Sequence, residues 1–404
     1  MKILMINHFP LEGSGSGTYT KNLATQLVKL GHEVCVILPV NTTDIPQYEG
    51  VRLHPVYFTN TDAQNPEQIE GALPFNFPCF TTHPVSTVAF ENLDESQMEA
   101  YLDAFQQAID EEVRDFAPDV VHGQHVWALP SLAANCGVPL VLTAHGTDLM
   151  GYDKWPEMRH FAETAMEACV KVICISADNE KLVRDIFPQY VDKIVRMRNG
   201  YNPDIFFPQT LDRADVLKGF GLDYAGEDVV LFAGKMTRFK GIDILMDAAA
   251  TYESERPHAI TVLAGDGEER PALEKQAADL GLKRVHFIGN VAQADLARLY
   301  NIADIDLVPS RREPFGLVAV EAMACGTPVV ATNQGGLPDF VNASVGCLVA
   351  PEDSTDLARG IVETLDRALA APEWRADIAS YASGNYSQAV IIRELDELYR
   401  SVIA

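Results

Sequence analysis

Glu313 and Glu321, with seven residues between them, stand on either side of an expected helix start at Gly316. Apolar runs, Ile305 to Val308 and Pro328 to Ala331, flank the segment, and Gly326 with Pro328 supplies its stop signal. A strand–loop–helix–strand unit aims the helix N-terminus at the carboxyl edge of a parallel sheet. Free N–H groups there, around Phe315, Gly316, Leu317 and Val318, join the helix dipole in favouring an anion such as a diphosphate. A carboxylate cannot hold a phosphate, but it accepts hydrogen bonds from sugar hydroxyls on either side of one. Glu313 lies in the loop, and Glu321 lies about one and a half turns inside the helix. A diphosphate with a sugar on each flank is the chemistry of a nucleotide sugar.

Other residues of chemical interest cluster at expected strand ends. The strand Pro139 to Ala144 runs into His145-Gly146-Thr147-Asp148, which places a histidine at the carboxyl end of a central strand. The strand Val229 to Ala233 runs into a cationic, glycine-bounded loop, Gly234 to Gly241, and then a helix from Ile242. The first strand, Lys2 to Ile6, leads to Gly13-Ser14-Gly15-Ser16-Gly17, with a helix expected from about Thr18 to Leu30. Its G-x-G-x-G spacing is not the dinucleotide fingerprint, and no acid stands where an adenosine ribose would need one. His122 and His125 form an H-x-x-H without a nearby carboxylate, a poor zinc set. Asp304-Ile305-Asp306 mimics a metal-binding D-x-D but sits at a strand start, so a structural role is expected and no metal. Asn199-Gly200, with Pro203 and Pro208, is linker chemistry and sets a domain boundary near 205.

The run E-P-F-G-L-x-x-x-E-A-M-A-x-G-T-P-V-V from Glu313 to Val330 resembles the signature of retaining glycosyltransferases of family GT4. What the resemblance implies is a GT-B fold: two Rossmann-like, doubly wound α/β domains with parallel sheets facing across a cleft. The first would be 1–205, the acceptor side, with a closing helix 387–404 crossing back onto it. The second would be 206–386, binding the nucleotide sugar. In that scheme His145, Lys240 and Glu313 are catalytic. Lys240 matches the lysine that neutralises the diphosphate, with Lys235 standing where family members carry an arginine and Arg238 compensating. The backbone of Gly289 and Asn290 edges the base, and Glu321 holds the ribose diol. The resemblance places the N–H groups of Gly15, Ser16 and Gly17 against the donor phosphates and the acceptor, and the region of His83 and Asn76 in the acceptor pocket; His122 is expected to line the cleft, and Tyr152, Lys154 and Arg159 to reach an acceptor. Arg196 and Arg198 are candidate grips on an anionic acceptor. The donor is expected to be UDP-glucose, by its frequency in the family, and the acceptor a small soluble molecule of the kind used by sucrose-phosphate-type synthases. No cofactor or metal is implied.

Composition bounds these expectations. The 404 residues suffice for two domains, and the formal charge of −26 argues against nucleic acid and against docking on anionic lipid. About −14 of that charge falls in the first 205 residues, which tilts the acceptor toward a soluble molecule. No apolar run approaches a membrane span, so no stable membrane insertion is expected. The seven cysteines lack any C-x-x-C, which fits reduced thiols and a cytoplasmic address. Residues 41–95 are irregular, and a stretch of that length is unusual unless functional or folded locally. Extension of a glycolipid or polysaccharide, and nucleotide-sugar epimerisation on the same fold, stay open. A periplasmic-type binding protein would have no reason to keep Glu313, Lys240 and Glu321 together.

Overall fold

A computed structural model of the chain describes residues 1–81 and 83–403. The chain divides into two compact units, one formed by Met1–Arg198 with the segment from Ile391 onward, the other by Asn199–Val390. The boundary thus falls at Arg198/Asn199 and again inside the helix Gln388–Ile403, a few residues from the expected 205 and 387. Ala404, the last residue of the expected closing helix, lies outside the described residues.

The first unit holds a seven-stranded sheet: β1 (Lys2–Ile6), β2 (Glu33–Val40), β3 (Val51–Tyr57), β4 (Val120–Gln124), β5 (Leu140–Ala144), β6 (Lys171–Cys174) and β7 (Ile194–Arg196). Their order is β3-β2-β1-β4-β5-β6-β7, and every pair is parallel. The second unit holds a six-stranded sheet: β8 (Asp228–Ala233), β9 (Ala259–Ala264), β10 (Val285–Gly289), β11 (Ile305–Val308), β12 (Val329–Thr332) and β13 (Gly346–Val349). Its order is β10-β9-β8-β11-β12-β13, again all parallel. Strands such as Lys2-Ile-Leu-Met-Ile6 are apolar on both faces because helices cover both sides of a parallel sheet. In each unit the chain reverses its winding once, between β1 and β4 and between β8 and β11. That switch point is where open α/β sheets bind ligands.

Alternation along β1 sorts the core of the first unit into two layers. Leu4 and Ile6 join Tyr101, Phe105 and Ile109 of the helix Glu95–Asp115. Ile3 and Met5 join Leu23 and Leu27 of the helix Gly15–Lys29 and Ile391, Ile392, Leu395 and Tyr399 of the helix Gln388–Ile403. The closing helix therefore packs on the first sheet, as the fold class implied. Residues 41–95 do fold locally, through β3, the bridges Phe58–Leu73 and Cys79–Ala89, and a buried Asn76 whose amide bonds Asp62, Val85 and Asn41. Among the described residues no helix is long and apolar enough to cross a membrane.

One side chain breaks the apolar rule. Asp306, in the middle of β11, is fully buried and neither carboxylate oxygen has a partner, and burial pushes its carboxyl well above the usual range. Asp304, by contrast, is satisfied by the Arg213 fork and the Val229 N–H, so the two halves of the D-x-D do different things. Replacing Asp306 by valine removes an unsatisfied buried acid from a strand that suits β-branched residues. The variant should gain about 1–2 kcal/mol in denaturant unfolding, and a measured loss would show that the acid has a partner.

Candidate active site

In the second unit the strand ends are brought together by close backbone contacts. Gly241 takes φ +66 and caps the helix Ile242–Glu255; a Cβ there would lie 2.0 Å from the carbonyl oxygen of Pro309, just past β11. Gly335, at φ +58, would likewise meet the Glu313 carbonyl at 2.0 Å, and the Gly336 N–H donates to that carbonyl at 2.9 Å. Only glycine lets these turns press the loops after β8, β11 and β12 against one another. The loop after β8 ends in a single 3₁₀ turn, Arg238–Lys240, and the loop after β11 carries Ser310 to Gly316.

The side chains follow from that crowding. The Lys240 ammonium donates to Glu313 Oε2 at 2.6 Å, and the Ser310 hydroxyl donates to the same oxygen at 3.2 Å. Glu313 is nearly buried, at 7% exposure, so the pair holds one charge of each sign at the rim of the helix Leu317–Ala324. Arg311 fastens the loop beneath it. Its guanidinium forks onto Asp243 at 2.6 and 2.8 Å, pairs with Glu352 and donates to the Arg238 carbonyl at 2.9 Å. Those carboxylates hold its pKa above the ordinary arginine value, even against burial. Sequence reasoning passed over Arg311 and Ser310. The signal was a charged pair, Arg311-Arg312, directly after a strand end. Arg238 itself is exposed and reaches Asp243 at 3.5 Å, while Lys235 is exposed on the same loop. Gly289, at φ +78, ends β10 and accepts the Gly265 N–H at 2.8 Å, leaving Asn290 exposed at the turn.

Phe315 is buried against Phe340, and Gly316, at φ +103, caps the helix Leu317–Ala324 without any side-chain acceptor for its first N–H groups. A Cβ on Gly316 would meet Leu337 at 2.6 Å, so the cap is as tight as the turns around it. Glu321 lies inward on this helix, 6% exposed, and burial alone pushes its carboxyl up to about 8. At neutral pH Glu321 is therefore held mostly as the acid.

The first unit presents a second set of strand ends. His145 follows β5, and its Nε2 faces Gln124 Oε1 at 2.9 Å, so the ring carries its proton on Nε2. Burial, then the neighbouring His125, lowers its pKa to about 3; it works as a neutral hydrogen-bonding ring. Asp148 is fully buried and accepts the N–H groups of Val126 at 2.7 Å and Gly146 at 2.7 Å, which fastens the ends of β4 and β5 together. Gln124 and Asp148 hold these strand ends; both stood inside motifs noted in the sequence, Gln124 between the two histidines of the H-x-x-H and Asp148 after His145, but neither was singled out.

The glycine segment differs from its expected loop. Ser14 is the N-cap, the helix begins at Gly15, and Ser14 Oγ takes the Gly17 N–H at 3.0 Å. Gly17 is buried with the Pro10 carbonyl 2.2 Å from where a Cβ would stand, so it serves packing, whereas Gly15 is exposed and Ser16 half-buried. His122 is corrected outright as an acceptor residue: its side chain is sealed beneath the closing helix, with Nδ1 bonded to Tyr399 at 2.6 Å and Nε2 to Thr143 at 2.7 Å. His125 instead packs among His8, Phe9, Phe80 and His145, so the H-x-x-H is not a ligand pair. Among the described residues no three His, Cys, Asp or Glu side chains are placed to hold a metal.

The remaining acceptor candidates are tied locally. His83 is buried and donates from Nε2 to the Glu12 carbonyl at 3.1 Å while its Nδ1 accepts the Val85 N–H at 3.3 Å. The Tyr152 hydroxyl donates to Glu163, and the Arg159 guanidinium sits 4.9 Å over its ring. Lys154 pairs with Glu91 at 2.8 Å, Arg196 with Glu180 at 3.5 Å and Arg198 with Glu394 at 3.4 Å.

The raised Glu321 pKa has a measurable cost. The folded state keeps a proton that the unfolded chain releases between the ordinary 4.5 and about 8, so stability falls as pH rises through that window. Glu321→Gln should thus gain Tm relative to the native protein as pH is raised from 5 to 8.5, with the gap flat beyond. A constant difference across that range would place the carboxylate in an ordinary, solvated environment.

Comparison with known proteins places this arrangement. The chain matches the model of Glycosyltransferase Family 4 over residues 13–205 and that of Glycosyl transferases group 1 over residues 218–384. It is 31% identical to an uncharacterized glycosyltransferase of Methanocaldococcus jannaschii, over 99% of this chain and 98% of that protein. It is 32% identical to a D-inositol 3-phosphate glycosyltransferase of Frankia alni, over 93% and 92%. Among solved structures, sucrose-phosphate synthase from Thermosynechococcus elongatus superposes with a TM-score of 0.75 at 23% identity, covering 100% of this chain and 99% of that one. Anabaena HepE, solved with UDP and glucose, superposes with a TM-score of 0.72 at 22% identity, covering 99% and 100%. With one family model on each sheet-bearing unit and relatives matched along almost their whole length, the chain belongs to the group 1, family 4 glycosyltransferases of GT-B architecture.

Proposed function

We propose that the protein transfers a hexosyl group, with retention and without a metal, from a UDP-sugar, UDP-glucose first, to a hydroxyl of a small soluble acceptor in the cytoplasm. The observation that carries this is the Lys240–Glu313 pair at the bare N-terminus of Leu317–Ala324. A diphosphate arriving at that helix end offers Lys240 a better partner than Glu313, since the dipole and free N–H groups add to its hold. Lys240 then carries the departing charge, and Glu313, released, accepts hydroxyls of the donor sugar. Glu321 receives the ribose diol.

In the transfer step the bond between the anomeric carbon and the phosphate oxygen breaks. The acceptor oxygen bonds to the same face of that carbon through an oxocarbenium-like ion pair. The acceptor proton passes to the leaving phosphate, so no side chain has to serve as nucleophile or base. His145, kept neutral, contributes a hydrogen bond to a sugar hydroxyl without adding positive charge beside a developing cation. Support for UDP comes from Anabaena HepE, whose structures hold UDP and UDP-glucose. The names of several relatives favour a phosphorylated polyol as acceptor. Against that stands the pairing of Arg196 and Arg198, the cations such an acceptor would need, with Glu180 and Glu394. Glycolipid extension and epimerisation remain the competing activities; the second would convert a nucleotide sugar with no acceptor present.

Binding of UDP, GDP and ADP by calorimetry, followed by donor-hydrolysis assays in EDTA, tests the assignment; UDP should bind and hydrolysis should survive the chelator. Glu321→Ala should weaken donor binding about tenfold or more, and His145→Ala should lower kcat about a hundredfold with little change in donor KM. Both variants near native kinetics would remove this site.

A further inference from the structure

The first unit contains a pocket of about 220 Å³, lined in part by the acceptor candidate His83, to which no ligand group has yet been assigned. It opens at the carboxyl ends of β1 and β2, the ligand edge of the sheet, between Pro10–Gly13 and the segments around Ile45 and Val85. Its wall runs straight into Ser14, the cap of the glycine-bearing helix.

Nearly all of its lining is apolar, because the polar groups around it are turned to one another. Glu12 is held by Lys21 at 3.0 Å and by the Tyr48 hydroxyl at 2.9 Å. The Asn41 amide donates to Asn76 at 3.0 Å and to the Val85 carbonyl at 2.8 Å. His83 spends both ring nitrogens on backbone, and a side chain at Gly13 would touch its ring at 3.0 Å, so this contact fixes the pocket's mouth. What remains are Leu11, Leu38, Val40, Ile45, Pro84 and Val85. The charged lining residues, Glu12 and Asp44, are both acids, and an anion would meet no cation there. A dry cavity of about 150 Å³ lined by aliphatic side chains accepts benzene. This one, open to solvent at its mouth, has room inside for a ring with a short substituent.

We infer that the pocket holds a compact, uncharged apolar group of the acceptor, a single ring or a chain of about six carbons, attached to the hydroxyl that receives the sugar. The inference rests on the transferase assignment and replaces the anionic acceptor with a neutral one. Ligand-observed NMR on the full chain tests it with benzyl alcohol against benzoate, which share a shape and differ in charge. Benzyl alcohol should bind saturably, benzoate about tenfold more weakly, and Ile45→Asp and Val85→Asp, checked for native melting, should each weaken benzyl alcohol at least about fivefold. Equal or tighter benzoate binding, no saturation by benzyl alcohol, or indifference to both substitutions in folded protein would overturn it. So would Ile45-dependent sedimentation with phosphatidylcholine vesicles, which would make the occupant a membrane lipid. A separate UDP titration reports the donor site alone, so failure of UDP to bind while benzyl alcohol still saturates would overturn the UDP donor and leave the apolar pocket standing.

Discussion

A lysine and a glutamate 2.6 Å apart satisfy each other at the rim of a short helix. The second unit's architecture is what brings them together. Lys240 arrives on the loop after β8 and Glu313 on the loop after β11, from strands that are neighbours in the sheet and distant in sequence. Their approach depends on glycines that let backbone touch backbone, and on Arg311, which grips both loops through Asp243 and the Arg238 carbonyl. An ion pair at the mouth of an otherwise bare helix end also keeps the charge in place without closing the site. The pair desolvates neither partner fully.

The two units solve the problem of a precise strand end differently. In the second, ionic and backbone contacts crowd together, and burial pushes the Glu321 carboxyl up to about 8. In the first, one buried carboxylate, Asp148, collects backbone N–H groups from two loops, and the neighbouring histidines are held neutral in an aromatic setting. Charged side chains thus gather at the strand ends of the second unit, while those of the first carry neutral rings around one buried carboxylate.

Much of this could be read before any coordinates existed, because the pattern from Glu313 to Val330 ties helix start, carboxylates and stop signal into one short segment. Strand ends and the assignment of Asp304 to structure followed from apolar runs and position, and the folding back of the closing helix from the family resemblance. What escaped is physical in kind. The start of the first helix was misplaced by three residues because glycines look like a loop, although Ser14 caps them into a turn. His122 looked functional from its motif, yet strand alternation turns it beneath a helix almost three hundred residues away, a partner no local pattern announces. Arg196 and Arg198 looked like anion grips because their acidic partners, Glu180 and Glu394, come from other elements. Gln124 and Arg311 act through neighbours that only the folded chain brings near.

The helix Gln388–Ile403 has a consequence for how the chain is made. Ile391, Ile392, Leu395 and Tyr399 complete the same layer that Ile3 and Met5 begin, and Tyr399 closes over His122. A ribosome therefore releases every strand of the first sheet long before the side chains that finish one of its layers, and builds the entire second unit in the interval. The earlier-made half waits with an uncovered apolar face while the later-made half can already close its own core.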